Sequence, residues 1–314
     1  MSERLYDVGR GVTLCAEGFG DPADPPLLLV MGLGMQMIRW HASFVRELTD
    51  RGLYVIRFDN RDSGRSTFMK DVPLPTLRQL ATRRFDPRQY LLADMARDTV
   101  ALLDALNLDR VHIAGASMGG MIAQTIAAEQ PRRVRSLTSI MSNTGSRFSG
   151  QPALKTYPLL LRRAAPGRDG YIAHQVALHD AIGSPGSPAD DPLFREIAEC
   201  SYDRNPDPTG TPRQLAAVLA SGDRTRALHR VSAPTLVIHG DADRMISISG
   251  GRATARAIPD SELVVVPGMG HDLPRGVWPE VIGALAHHVR AAERAGRAGR
   301  ANDAPTRSDP ARSV

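Results

Sequence analysis

Cysteine is scarce in this chain: Cys15 and Cys200 are the only two among 314 residues. They form no C-x-x-C pair, which excludes a disulfide framework and a thiolate metal site. Two reduced thiols fit a cytosolic protein. Lysine is nearly missing too. Lys70 and Lys155 stand alone among 39 basic residues, a bias read here as that of a GC-rich genome rather than a functional demand for arginine. The net charge of +5 is uneven, because from Arg290 onward six arginines face only Glu293, Asp303 and Asp309. The body is therefore close to neutral, and a nucleic-acid groove, which needs clustered cations on a folded face, is excluded. No apolar run approaches the roughly 20 residues of a membrane-spanning helix. The first residues, Met1 to Asp7, carry no apolar h-region of a secretion signal, so the expected location is cytoplasmic. No internal repeat is evident.

What is present is ordinary for a soluble globular protein: 42% hydrophobic and 23% charged residues,. Residues 5–8 and 12–17 read as two strands joined at Gly9-Arg10-Gly11. The run 27–31 is continuously apolar, as in a strand buried on both faces of a parallel sheet. A helix at 42–51, ended by Gly52, leads to a strand at 54–58. Leu92, Met95, Leu102, Leu103 and Leu106 mark one face of a helix over 91–106. Then follow a strand at 111–114, a helix at 119–129 stopped by Pro131, and a strand at 136–141. Strand and helix alternate throughout 27–141, which predicts an α/β fold with a parallel sheet. The pattern breaks at Gly145. Residues 145–230 read as an inserted helical cap between a first core part, 1–144, and a second, 231–292. The second part carries strands at 235–239 and 263–266 and helices at 251–257 and 279–292. Residues 293–314 hold almost no apolar side chains and are expected to be a disordered tail.

Ligands of open α/β sheets bind beyond the carboxyl ends of the strands. Here those ends carry Gly32-Leu33-Gly34, Ser117, Gly240-Asp241-Ala242-Asp243 and Pro267-Gly268-Met269-Gly270-His271. Ser117 is the centre of a G-x-S-x-G pattern between a strand and a helix. Such a turn lifts the hydroxyl clear of the sheet edge. A hydroxyl, a carboxylate and an imidazole thus converge in the chain order Ser, Asp, His. Serine is a weak nucleophile until a base takes its proton. His271 suits that task because imidazole titrates near neutrality. A carboxylate must hold the ring in the right tautomer. Asp243 has the better offset from the strand end, and Asp241 reads as a turn residue. The backbone N–H groups of Leu33 and Met118 are the candidate oxyanion donors. His239 reads as structural, and His41, His112, His174, His179, His229, His287 and His288 as structural or solvated. The charged loop 59–66 reads as a hydrogen-bonded scaffold.

The motifs Gly115-Ala116-Ser117-Met118-Gly119, Gly240-Asp241-Ala242-Asp243 and Gly270-His271 resemble those of the α/β-hydrolase fold family. Residues 59–66 are similar to that family's D-x-R-G-x-G-x-S loop. With Val30 to Gly34, they resemble the bacterial aclacinomycin methylesterase-like subgroup of esterases. The resemblance implies a mostly parallel central sheet with flanking helices. It implies Ser117 as nucleophile, Asp243 as acid, His271 as base, and Leu33 with Met118 as the oxyanion hole. Two positions depart from the pattern. Asp62 stands where glycine is usual, and Met31 stands where many relatives carry histidine. Ser117 argues against the dehalogenases and epoxide hydrolases of the family, which use an aspartate nucleophile.

The expected activity is hydrolysis of carboxylic esters through an acyl-enzyme on Ser117, with no cofactor or metal and a small-molecule ester as partner. A bulky polyketide methyl ester or a macrocyclic lactone fits the subgroup and the long cap. Tyr157, Leu159, Leu160, Tyr171, Ile172, Val176 and Leu178 would offer an apolar lining, or equally the core of the cap. The alternatives are a cofactor-free perhydrolase of the haloperoxidase type and a non-enzymatic ligand receptor on the same fold.

Overall fold

The computed structural model describes residues 2–156, 165–186 and 192–302. The strands are β1 (Arg4–Asp7), β2 (Thr13–Phe19), β3 (Pro26–Val30), β4 (Tyr54–Phe58), β5 (Val111–Ala116), β6 (Val134–Ile140), β7 (Thr235–Gly240) and β8 (Glu262–Val266). They form one eight-stranded sheet in the order β1-β2-β4-β3-β5-β6-β7-β8. β1 and β2 make an antiparallel edge, and every pairing from β4 through β8 is parallel. All eight strands lie where the sequence pattern predicts them, with ends displaced by a residue or two.

The α/β layering follows from strands that are apolar on both faces. Along β3, Leu28 and Val30 enter one apolar layer while Leu27 and Leu29 enter the other. Ile56 and Phe58 of β4 face the first layer and Val55 the second. The first layer is completed by α3 (Leu92–Ala105), α4 (Met118–Glu129) and α9 (Ile248–Ala257), through residues such as Met95, Leu102, Ile122, Ile126 and Ala257. The second is completed by α1 (Ala42–Thr49) and α10 (Trp278–Asn302), through Phe44, Leu48, Val281 and Leu285. Each fully buried aliphatic side chain contributes about 1.5–3 kcal/mol, which makes the two layers the main stabilising element of the sheet. The short α2 (Leu77–Thr82) is not announced by the sequence, because six residues are too few to display a helical period. Between β6 and β7 lie α5 (Gly167–Ile182), α6 (Pro192–Arg204), α7 (Gly210–Ser221) and α8 (Thr225–Leu228). Tyr157, Leu159 and Leu160, expected as cap lining, lie outside the described residues.

The C-terminal boundary differs from expectation. α10 continues through residues 293–302, which low apolar content had assigned to a disordered tail. The segment is rich in Ala and Arg, both strong helix formers. Glu293 also anchors it, pairing with Arg135 at 2.8 Å and with His112 Nε2 at 3.1 Å. His112 lies on β5, fully buried, with Nδ1 2.8 Å from the Ser136 hydroxyl. A neutral imidazole satisfies both contacts, donating from Nε2 and accepting at Nδ1.

Burial pushes the His112 imidazole down to about 4. An unfolded histidine titrates near 6.5. Between those values the unfolded chain binds more protons, so stability falls as pH drops from about 6.5 to 4 and is indifferent to this group above that window. The full shift corresponds to about 3 kcal/mol. Urea unfolding at pH 7 and pH 4.5 should therefore show a smaller pH gap in His112→Gln than in the wild type. An unchanged gap would remove His112 as its source.

Candidate active site

Ser117 occupies the single residue between β5 and α4, at φ 55° and ψ −120°. A non-glycine residue reaches that region only when its surroundings hold it there. The Ser117 N–H donates to the Ile140 carbonyl at 2.9 Å. The Ser117 carbonyl accepts from Ser142 Oγ at 2.8 Å and from the Gly120 N–H at 3.0 Å. The flanking glycines are steric necessities. A Cβ at Gly115 would lie 2.1 Å from the Gly119 carbonyl oxygen, and one at Gly119 would lie 2.1 Å from the Val30 oxygen. The G-x-S-x-G spacing is thus the footprint of a helix start pressed against two strand ends.

Asp243 and His271 come to this turn from the ends of β7 and β8. His271 Nε2 is 3.0 Å from Ser117 Oγ, and its Nδ1 is 2.8 Å from Asp243 Oδ2. Asp243 is buried, and its other oxygen accepts from the Met245 and Ile246 N–H groups, each at 2.8 Å. With Nδ1–H directed at that carboxylate, the Nε2 lone pair faces the serine hydroxyl. Asp241 does not reach the ring. It is exposed and accepts from the Gly268 N–H at 2.7 Å, bracing the loop that carries His271. His239 sits beside the acid, 3.6 Å from Asp243 Oδ2, with Nε2 2.8 Å from the Ile246 carbonyl. Burial pushes its imidazole below the usual range, and its proton is committed to a carbonyl, as suits a structural histidine.

The Gly32-Leu33-Gly34 loop passes directly over the serine. A Cβ at Gly32 would lie 3.1 Å from Ser117 Cβ. The Leu33 N–H belongs to this loop, and the Met118 N–H opens α4, where the first four N–H groups have no intrahelical acceptor. Residues 59–66 hold the loop from below. Asn60 Nδ2 donates to the Met31 carbonyl at 3.0 Å, Asp59 accepts from the Met37 N–H at 2.7 Å, and Ser63 Oγ donates to the Met35 carbonyl at 2.8 Å. The loop is thereby supported although residue 31 is methionine. The second departure has a physical reason as well. Asp62 has φ 62°, which explains why glycine is usual there,. Its carboxylate offsets the strain by accepting from Tyr90 Oη at 2.8 Å, the Met69 N–H at 2.9 Å and Arg213 at 3.0 Å. Burial pushes the Asp62 carboxyl up, and these three donors pull against it.

The sequence did not disclose the side chains that reach this site from the helices after β6. Gln214 of α7 accepts from the Gly34 N–H at 2.8 Å and donates to the Arg61 carbonyl at 2.8 Å. Arg204 of α6 binds Asp59 at 2.8 Å and Glu3 at 2.9 Å, and also contacts Gln36. No local signal marked them: Arg204 follows other charged residues in α6 and Gln214 follows Arg213 in α7. Tyr171 of α5, an expected lining residue, packs against Tyr202 of α6 with ring centroids 5.6 Å apart, and Ile172 is buried beside it. Val176 and Leu178 on the same helix are half-buried. Among the described residues no group of three or more His, Cys, Asp or Glu is gathered as a metal site, and no helix is long and apolar enough to cross a membrane.

A doubly wound sheet with a strained serine at a strand–helix elbow defines a class. Residues 25–274 match the α/β hydrolase fold, and the chain belongs to that family. Its relatives narrow the subgroup. Rhodomycin D methylesterase DauP of Streptomyces sp. strain C5 is 29% identical over 304 residues, spanning 90% of this chain and 96% of its own length. Rhodomycin D methylesterase DnrP of Streptomyces peucetius is 28% identical over 302 residues, with the same shares. They bear out the subgroup resemblance read from the motifs. Among solved structures, the 2-hydroxy-6-oxo-6-phenylhexa-2,4-dienoate hydrolase of Rhodococcus sp. strain RHA1 superposes with a TM-score of 0.72 at 21% identity, covering 92% of this chain and 98% of its own. That likeness is one of fold.

Proposed function

We propose that this chain is a serine hydrolase of carboxylic esters that works through an acyl-enzyme on Ser117. The observation that carries the reading is the hydrogen-bonded chain from Ser117 Oγ through His271 to Asp243. Hydrolysis of carboxylic esters as such is supported independently by the two methylesterase relatives.

In the first half-reaction Ser117 Oγ attacks the ester carbonyl while His271 Nε2 takes its proton. The carbonyl becomes an oxyanion, and the Leu33 and Met118 N–H groups receive it. Collapse expels the alcohol, which takes the proton back from His271. In the second half His271 deprotonates a water molecule. That water attacks the acyl carbonyl, and the acid leaves with Ser117 restored. Asp243 stabilises the imidazolium formed in both halves. No cofactor enters this cycle. Helices α5 to α8 act as a cap that shapes the entry for the ester. That both relatives are named methylesterases favours a methyl ester, such as a bulky polyketide one, whose products are methanol and a free acid.

Two measurements test this. A fluorophosphonate probe should label Ser117 of the wild-type chain, and p-nitrophenyl acyl esters should be turned over. A panel of bulky polyketide methyl esters, macrocyclic lactones and short acyl esters then ranks the substrates. Preference for short acyl chains over every bulky methyl ester would discard the substrate class. Absence of labelling would discard the serine mechanism in favour of a ligand receptor. Peroxide-dependent halogenation in acetate exceeding ester turnover would favour a perhydrolase.

A further inference from the structure

His271 lies on the loop after β8, beyond the carboxyl end of the sheet. On the side of β7 the loop is tied to the acid turn. The Gly268 N–H donates to Asp241 at 2.7 Å, and the Ala242 N–H donates to the Met269 carbonyl at 3.1 Å. On the opposite side it is tied to the end of α5, which belongs to the segment inserted between β6 and β7.

That second attachment is continuous over three residues. The Gly270 N–H donates to Ser184 Oγ at 2.8 Å. The His271 N–H donates to the Ile182 carbonyl at 2.7 Å. Asp272 Oδ1 accepts from the Ser184 N–H at 2.9 Å and from Ser184 Oγ at 2.5 Å. The Ser184 hydroxyl thus donates to Asp272 and accepts from the Gly270 N–H,. The two backbones are in direct contact, since a Cβ at Gly270 would lie 2.3 Å from the Gly183 carbonyl carbon. Ser184 and Asp272 are each only 8% exposed. One turn before Gly183, His179 places Nδ1 3.7 Å from Asp272 Oδ2 and packs its ring, tilted, against Phe194 of α6 with centroids 4.3 Å apart. The contact thus extends into the packing between α5 and α6.

We propose that Ser184 and Asp272 are positioning residues that fasten the His271 loop to α5 and hold the imidazole in line with Ser117 and Asp243. The inference rests on the reading of His271 as the base. The inserted helices are then more than a roof over the pocket. They complete the mounting of the imidazole, and the α5 end must stay fixed to the loop during turnover. A buried hydrogen-bonded bracket suits this task, because a displacement of about 1 Å at a reacting group can lower a rate about 100-fold.

The test compares Ser184→Ala, Asp272→Ala and Asp272→Asn in the full chain. Ser184→Ala and Asp272→Ala should each lower kcat for a p-nitrophenyl ester about 10- to 100-fold, leave KM within about twofold, and slow fluorophosphonate labelling in step. Asp272→Asn keeps an oxygen where Oδ1 accepts both Ser184 donors, and should recover most of the loss seen in Asp272→Ala. An independent readout is the far-downfield Nδ1–H proton resonance of His271, which should be sharp in the wild type and in Asp272→Asn but broadened in both alanine variants. Unchanged kcat with a lowered unfolding temperature, or a raised KM at unchanged kcat, would overturn the proposal and leave these residues as structural or as pocket lining. Should Ser184→Ala fail to fold, the Asp272 pair carries the comparison alone. A wild-type chain without esterase activity would sink the proposed function, while the His271 resonance would still judge the bracket.

Discussion

Ser117→Ala should lower kcat/KM for ester hydrolysis by a factor on the order of 10⁴ to 10⁶ and abolish fluorophosphonate labelling. The magnitude follows from what is removed. Without Oγ there is no acyl-enzyme, and the remaining groups can only orient water and stabilise the oxyanion. Stability should scarcely change. The hydroxyl contacts His271 Nε2, whereas the backbone bonds to Ile140, Ser142 and Gly120 that hold the strained turn are untouched. Alanine bears the same Cβ at the same φ, so the backbone strain is common to both forms. Thermal unfolding of the two proteins should superimpose within a degree or two. Retention of full activity in the alanine variant would exclude Ser117 as nucleophile.

Asp243→Asn should be nearly as damaging, on the order of 10⁴-fold in kcat, whereas Asp241→Asn should leave the rate close to wild type. The magnitude is the one general for the orienting acid of Ser-His-Asp enzymes. The difference lies in what each amide would offer. At 243 the oxygen bound by the Met245 and Ile246 N–H groups would remain an acceptor. The atom facing His271 Nδ1 would then be an N–H₂ donor. A donor there forces the proton onto Nε2, the nitrogen that must accept from Ser117. At 241 the carboxylate only accepts from the Gly268 N–H, and an amide oxygen does that equally well. Steady-state kinetics of the two variants, with Ser117 labelling rates as a second readout, separate the residues. The reverse order of effects would move the acid to Asp241.

Much of this molecule is written locally. The eight strands, the α/β alternation and the serine elbow are legible because each depends on periodicity or on a turn within a few residues. Gly115 and Gly119 could be read as steric requirements before any coordinates, and the structure supplies the atoms they avoid: the Gly119 and Val30 carbonyls. Ser, Asp and His could be expected at one edge because parallel strands deliver their carboxyl ends together. Asp62 shows the limit of motif reading. Its departure from the family's glycine was visible, but the positive φ and the partners that stabilise it, Tyr90, Met69 and Arg213, were not.

The sequence by itself determined the order of the eight strands and of the helices between them outside α2 and the inserted segment, the family, and the residue types gathered at the strand ends. These are consequences of local pattern and of chain connectivity. Only the tertiary structure decided what turns the expected acid toward the imidazole. Asp241 and Asp243 leave the same turn, and the Met245 and Ile246 N–H groups orient the second. It also decided that Glu293 docks on His112 and Arg135, so that α10 runs on where composition predicted disorder. Tertiary structure likewise seated His271 between two partners far away in the chain, the acid turn after β7 and the Ile182–Ser184 backbone. The physical reason is common to all three. A buried polar group must find its partner among atoms that folding brings near, and the partner's distance along the chain carries no signal in a window of a few residues.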